Sequence, residues 1–219
     1  MKNILIFDTS IATKNLGDLI IVDSVEKNLK NLFPESRFFA TATHEVIGKE
    51  TYRLLKESQL SFVAGTNLLS SNMNRYNQWR INLIDSIFVK DVVLMGVGWW
   101  QYQKTPNLYT RYLYKKLLHS EFLHSVRDSY TFSHLASSGI SNAINTGCPT
   151  TWGLVPEHCV AIPNSKADNV VVTLTDYKKD RQADQRLLKL LHKCYQKTYF
   201  WPQGSGDLSY FRSLNDSAI

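Results

Sequence analysis

The chain reads as an α/β protein: a doubly wound, mostly parallel sheet followed by a short second α/β unit. Three observations predict this. Apolar runs of strand length alternate with segments of helical periodicity along the 219 residues. Glycine recurs where those runs stop, at Gly65, Gly96, Gly98 and Gly147. Residues 122–154 contain a strand–helix–strand unit, and a crossover of that kind implies parallel strands.

The elements follow in order. Asn3 to Phe7 is a buried strand, and Asp8 to Lys14 its polar exit loop. Asn15-Leu16-Gly17-Asp18 opens a helix to about Leu32, with Leu19, Ile20, Val22, Val25 and Leu29 at helical spacing and Pro34 just beyond. Arg37 to Ala42 is a second strand, Ile47 to Lys56 a short helix, and Gln59 to Ala64 a third strand that stops at Gly65-Thr66-Asn67. A polar, Asn-rich segment follows. Asp91 to Met95 is a fourth strand, ended by Gly96-Val97-Gly98 and an aromatic loop, Trp99-Trp100-Gln101-Tyr102. Asn107 to His119 is a helix. Phe122 to Val126 is a strand closed by Arg127-Asp128, with Ser129 as N-cap of a helix to Ser138 that turns Leu135 and Ala136 inward. Gly139 sits where a helix stop needs positive φ. Asn142 to Thr146 is the last strand of this part, broken by Gly147-Cys148-Pro149-Thr150. Val155 to Ala167 has the composition of a linker. Asn169 to Leu174, Gln182 to Gln196, Lys197 to Trp201 and Asp207 to Leu214 repeat strand, helix, strand, helix. The expected domains are residues 1–160 and, as linker plus partial second unit, 161–219.

A content of 43% hydrophobic and 12% aromatic residues is enough for a packed core. Three cysteines without metal-like spacing argue for a reducing compartment. The apolar run at the N-terminus is too short for a signal peptide, and no stretch approaches the ~20 apolar residues of a membrane span. A cytoplasmic protein is expected. The net charge of +6 favours anionic partners. The basic residues are scattered and no binding motif accompanies them, so no nucleic-acid partner is expected. A phosphorylated or acidic small substrate suits the charge.

In a parallel sheet ligands sit beyond the carboxyl ends of the strands. The glycines there let backbone N–H groups approach a phosphate or carboxylate, or simply serve strand-to-helix turns. No dinucleotide or Walker fingerprint is present. Asp18 either complements the helix dipole or holds a sugar hydroxyl. Arg127 either grips a carboxylate or phosphate in two-pronged fashion or pairs with Asp128. Six histidines make no zinc pattern, and His124, inside a strand, reads as a core imidazole. Trp99 and Trp100 offer flat faces to a sugar, or to a subunit contact in a homo-oligomer.

These motifs resemble the polysaccharide pyruvyl transferase family. The resemblance rests on Asn15-Leu16-Gly17-Asp18, Gly65-Thr66-Asn67-Leu68-Leu69, Gly96-Val97-Gly98, Ser125-Val126-Arg127-Asp128-Ser129 and Thr146-Gly147-Cys148-Pro149-Thr150. Trp201-Pro202-Gln203-Gly204 with Asp207 looks like the first part of the family's second domain. The family implies a Rossmann-like N-terminal domain in a GT-B-like pair. It implies transfer of a pyruvyl group from phosphoenolpyruvate, as donor substrate, to two sugar hydroxyls as a cyclic ketal; no cofactor and no metal are expected. The acceptor would be a sugar or lipid-linked glycan of a surface polysaccharide. On this reading Arg127 holds the donor. Asn15, Gly17, Asp18, Gly65, Thr66, Asn67, Gly96, Gly98, Trp99, Trp100, Asp128, Ser129, Gly147, Thr150 and Gln203 line the substrate site. Family members run longer and carry later basic residues and a histidine for the donor. This chain ends at Ile219 without them, and His192 is a poor substitute. A truncated, non-catalytic sugar-binding member and a GT-B glycosyltransferase using a nucleotide sugar are the alternatives.

Overall fold

A computed structural model describes residues 1–215. The chain divides into two compact units. One comprises Met1–Thr13 and Asp18–Gly153; the other takes Lys14–Gly17 and the chain from Leu154 onward.

The first unit is built on β1 (Asn3–Asp8), β2 (Arg37–Ala42), β3 (Leu60–Ala64) and β5 (Val92–Met95), in the order β2-β1-β3-β5 and all parallel. Helices α1 (Leu16–Leu32) and α2 (Lys49–Glu57) connect the first three strands. Both faces of the sheet are covered over β1, β3 and β5, which is why these strands read as continuous apolar runs, whereas the edge strand β2 is partly exposed. Side chains alternate across the pleat. Ile4, Ile6, Phe62 and Val93 therefore pack with Val22, Val25 and Leu29 of α1, whereas Leu5, Phe7, Val63 and Leu94 pack with Trp79, Leu113 and Tyr114.

Beyond the glycines that end β3 and β5 the two strands resume as β4 (Asn67–Leu69) and β6 (Gly98–Trp99), paired in parallel. After α3 (Leu108–Leu117), β7 (His124–Val126) and β8 (Ala143–Asn145) form another parallel pair around α4 (Ser129–Ser137). β7 lies beside the exit of β5, through the Val97–Val126 bridge and the Gly96 N–H donated to the Ser125 carbonyl at 2.9 Å. His124 completes that junction. Its Nδ1 accepts from the Leu94 N–H at 3.3 Å, so Nε2 carries the proton and donates to the His119 carbonyl at 2.9 Å. Burial holds its imidazole below the ordinary value, outweighing the carbonyl bond.

The second unit contains α5 (Pro156–Val160), then β9 (Asn169–Val172), α6 (Arg181–Cys194), β10 (Lys197–Phe200) and α7 (Asp207–Asn215), with β9 and β10 parallel. Its small core is Val172, Leu174, Leu188, Tyr210 and Leu214.

Several local expectations are corrected. The stretch expected as a linker carries α5, with Pro156 at its first turn, where a missing N–H costs nothing. On α1 the inward positions are Ile21, Val22, Val25 and Leu29, and Leu19 and Ile20 are exposed. The cap of α4 is Asp128, whose extended backbone lets its carboxylate accept the Thr131 N–H at 2.7 Å; Ser129 is the first helical residue. Thr131 and Leu135 face inward from α4, while Ala136 is exposed. Gly139 does end that helix at φ +80°.

Candidate functional site

Because all the strands of the first unit run parallel, their carboxyl ends share one edge. That edge carries Asp8, Gly65-Thr66-Asn67, Gly96-Val97-Gly98, Arg127-Asp128 and Thr146-Gly147. Gly65, Gly96 and Gly147 lie at φ +59°, +65° and +75°, the left-handed region where a Cβ is strained.

Two of these glycines are closed over by the protein itself. A Cβ on Gly65 would lie 1.9 Å from Cγ2 of Ile21, and one on Gly96 2.2 Å from Cγ of Pro149. The Pro149 ring therefore seals the exit of β5. Its carbonyl accepts from Ser24 Oγ at 2.6 Å, and the Trp152 indole donates to the Thr146 carbonyl at 3.0 Å. The Gly147–Trp152 turn is thereby fastened to α1 and to the end of β8. Thr150, in this turn, is exposed and bonds locally, to Cys148 Sγ at 3.2 Å. Ser125 and Thr146 pair their hydroxyls at 2.5 Å, and Ser125 Oγ also accepts the Gly96 N–H.

Asp18 is likewise engaged. Its carboxylate sits in the first turn of α1 and accepts from Thr66 Oγ1 at 2.7 Å and Thr13 Oγ1 at 2.6 Å. Thr66 is itself at φ +59°, so Asp18 holds a left-handed loop against a helix start. The carboxylate is buried with an acceptor bond on each oxygen.

Trp99 is a core residue. It belongs to β6, is 4% exposed, and donates its indole N–H to Ser71 Oγ and Gln103 Oε1. Trp99 does not offer the open aromatic face expected of it, because its ring packs against Tyr114 of α3 and His134 of α4. Trp100 is half-buried and stacks on Tyr76 at 4.1 Å between ring centroids. Tyr102 is 92% exposed and meets Tyr130 edge-on.

Arg127 remains a candidate cation at this edge. It follows β7 directly, is half-buried, and among the described residues forms no ion pair; Asp128 spends its carboxylate on the α4 cap. Its Nη1 donates to Asn67 Oδ1 at 3.2 Å. A Cβ on Gly98 would meet Asn67 Oδ1 at 2.2 Å and Arg127 Cδ at 2.3 Å, so that glycine makes room for the pair. A guanidinium with one modest bond, above an exposed Asn and beside the positive end of α4, can take an anion with two prongs. Ser129 is exposed at the start of that helix.

The other residues that the sequence nominates belong to the second unit. Asn15 closes a local turn by accepting the Gly17 N–H at 3.0 Å, and bridges Gly204 through the backbone. Gln203 accepts the Leu16 N–H with its carbonyl and is exposed. Asp207, which the sequence marks as a helix start, organises this loop. Its carboxylate accepts N–H groups from Gln203 at 3.0 Å, Gly204 at 2.6 Å and Asp176 at 2.9 Å. Burial alone would raise its pKa, but these bonds hold it below the ordinary value. No spacing flags that role. Tyr76, the partner of Trp100, was equally silent, since nothing local distinguishes it. Among the described residues no group of three or more His, Cys, Asp or Glu is placed to hold a metal. No helix there is long and apolar enough to cross a membrane.

Residues 15–212 match the family model described as polysaccharide pyruvyl transferase. No curated protein and no solved structure matches the chain.

Proposed function

The chain belongs to the polysaccharide pyruvyl transferase family, and on that premise we propose that it transfers the pyruvyl group of phosphoenolpyruvate to two hydroxyls of a glycan. The observation that carries this reading is Arg127, a cation at the carboxyl edge of a parallel sheet, without a carboxylate partner among the described residues and with Asn67 as its hydrogen-bond partner. The donor bears a carboxylate and a phosphate, both suited to a guanidinium.

In the reaction the two sugar hydroxyls lose their protons and their oxygens bond to the carbon that carries the phosphate; the neighbouring methylene carbon takes up one proton, the carbon–oxygen bond to phosphate breaks, and phosphate leaves with the other. Arg127 holds the anionic end of the donor, and Asn67 orients the guanidinium. The stacked pair Trp100–Tyr76 presents an aromatic surface to the acceptor sugar. The carboxylates of Asp18 and Asp128 maintain the loops that carry these groups.

The test is phosphate release from phosphoenolpyruvate with galactosides or N-acetylmannosamine glycosides as acceptors. Acceptor-dependent release that disappears in Arg127→Ala supports the assignment. Stabilisation by UDP or GDP without response to phosphoenolpyruvate would replace it with nucleotide-sugar transfer. Glycan binding without turnover, unaffected by Arg127→Ala, would leave a sugar-binding protein.

A further inference from the structure

The turn between β4 and β5 in the first unit has an inverted pattern. A 3-10 turn, Asp85–Ile87, flanked by Ile84 and Phe88, is anchored by a buried carboxylate and carries large apolar side chains outward. Asp85 is buried; it accepts from Tyr52 Oη at 2.7 Å and from the Asn82 N–H at 2.8 Å. Its carbonyl accepts the N–H groups of Phe88 and Val89 at 2.9 and 2.8 Å. Ile81 and Val89 are buried on the same side. The opposite side shows Ile84 at 71% exposure, Ile87 at 69% and Phe88 at 55%. Positions 84, 87 and 88 share one face of a helical turn, so these three form a ridge.

Grooves flank the ridge. One, of about 670 Å³, runs against α2; the other, of about 500 Å³, runs against α3, and Ile87 and Lys90 line both. On the α3 side Tyr112 is exposed with Lys116 over its ring at 5.6 Å. The groove cations are Lys56, Lys90, Lys116 and Arg53, against a single lining carboxylate, Asp91; Arg53 is already paired with Glu50 and Glu57. The patch sits at the amino-terminal ends of β3 and β5, at the opposite edge from Arg127.

We propose that this ridge docks the protein on an anionic phospholipid surface, Ile84, Ile87 and Phe88 entering the interfacial layer while Lys56, Lys90 and Lys116 meet the headgroups. A protruding apolar ridge between lysines fits a bilayer interface, where long basic side chains keep their charge among headgroups while their stems lie along apolar surface. A second copy fits poorly. A symmetric pairing of this face would set lysines against lysines on chains of net charge +6. The docking surface stands apart from the assignment of the transfer reaction.

The experiment is co-sedimentation of the full chain with vesicles of phosphatidylcholine alone and of phosphatidylcholine with phosphatidylglycerol. Binding is expected only to the anionic vesicles. It should fall as salt rises from about 0.1 M to about 1 M, which shortens the screening length from about 10 Å to about 3 Å. Lys90→Gln and Lys116→Gln should each weaken partitioning about fivefold, and the double change Ile87→Ser with Phe88→Ser by roughly tenfold or more. All four side chains are at the surface, and an unchanged melting curve confirms that each variant is folded. No partitioning of the full chain, or partitioning indifferent to these changes, overturns the proposal. Concentration-dependent dimers in solution that the serine variant abolishes would also overturn it and assign the ridge to a second copy.

Discussion

Replacing Gly65 by alanine tests what the glycines at the strand exits are for. If Gly65 serves the approach of a ligand, Gly65→Ala leaves the fold intact and impairs binding. The geometry calls for a loss of stability. The backbone sits at φ +59°, which costs an L-residue about 1–2 kcal/mol. The new Cβ would lie 1.9 Å from Ile21 Cγ2, about 1.6 Å inside an ordinary carbon–carbon contact. Relieving an overlap of that size in a packed region costs about 1–3 kcal/mol. The expected total is roughly 2–5 kcal/mol, or a fall of about 1–2.5 M in urea midpoint for a slope of about 2 kcal/mol/M. Ile21→Ala alone should cost about 2–3 kcal/mol. The two changes together should cost less than their sum by about 1–3 kcal/mol, because the shortened side chain removes the overlap but not the backbone strain. Tryptophan fluorescence in urea is the assay, since Trp79, Trp99, Trp100 and Trp152 all lie in the first unit. Gly65→Ala within about 0.5 kcal/mol of the parent, or strict additivity with Ile21→Ala, would refute the packing argument.

Three further outcomes are expected. Arg127→Lys should weaken phosphoenolpyruvate binding about tenfold and Arg127→Ala about a hundredfold or more, with unfolding midpoints unchanged, as measured by calorimetry. The lowered proton affinity of His124 means that the unfolded chain protonates first below its ordinary value of 6.5. The first unit should therefore lose stability as pH falls from that value through the folded one, and His124→Gln should flatten the slope; equal slopes would count against the neutral tautomer. Asp207 has the same sign in a lower pH window. Its depressed pKa contributes stability above the ordinary value of 3.8, lost as pH falls through the folded value. Asp207→Asn should remove that acid limb from the far-ultraviolet melting of the second unit.

Much of the fold was legible because it is written locally. Strands buried on both faces appear as unbroken apolar runs, and Gly139 marks a helix end by its position alone. The continuation of β3 and β5 into β4 and β6 was not legible. Asn67–Leu69 and Gly98–Trp99 are strands because they pair with each other, and neither segment is long enough to announce itself. At the site, Arg127 could be singled out as a charge directly after a buried strand. The roles of Trp99 and Asp18 could not, since both depend on partners outside their own segments: Ser71 and Gln103 for one, Thr13 and Thr66 for the other.

Sequence alone therefore determined the alternation of parallel strands and helices, the positions of the chain breaks and the family. These follow from hydrophobic period, backbone stereochemistry and short motifs, each contained within a few consecutive residues. Tertiary structure decided which of those motif residues still face outward. Pro149 and Ile21 occupy the room left by Gly96 and Gly65, Asp18 is bound by two threonines, and the Arg127 guanidinium rests on Asn67 rather than on a carboxylate. Whether a vacancy or a charge is filled depends on which remote side chain packing brings to it, and that is a property of the folded chain rather than of any segment.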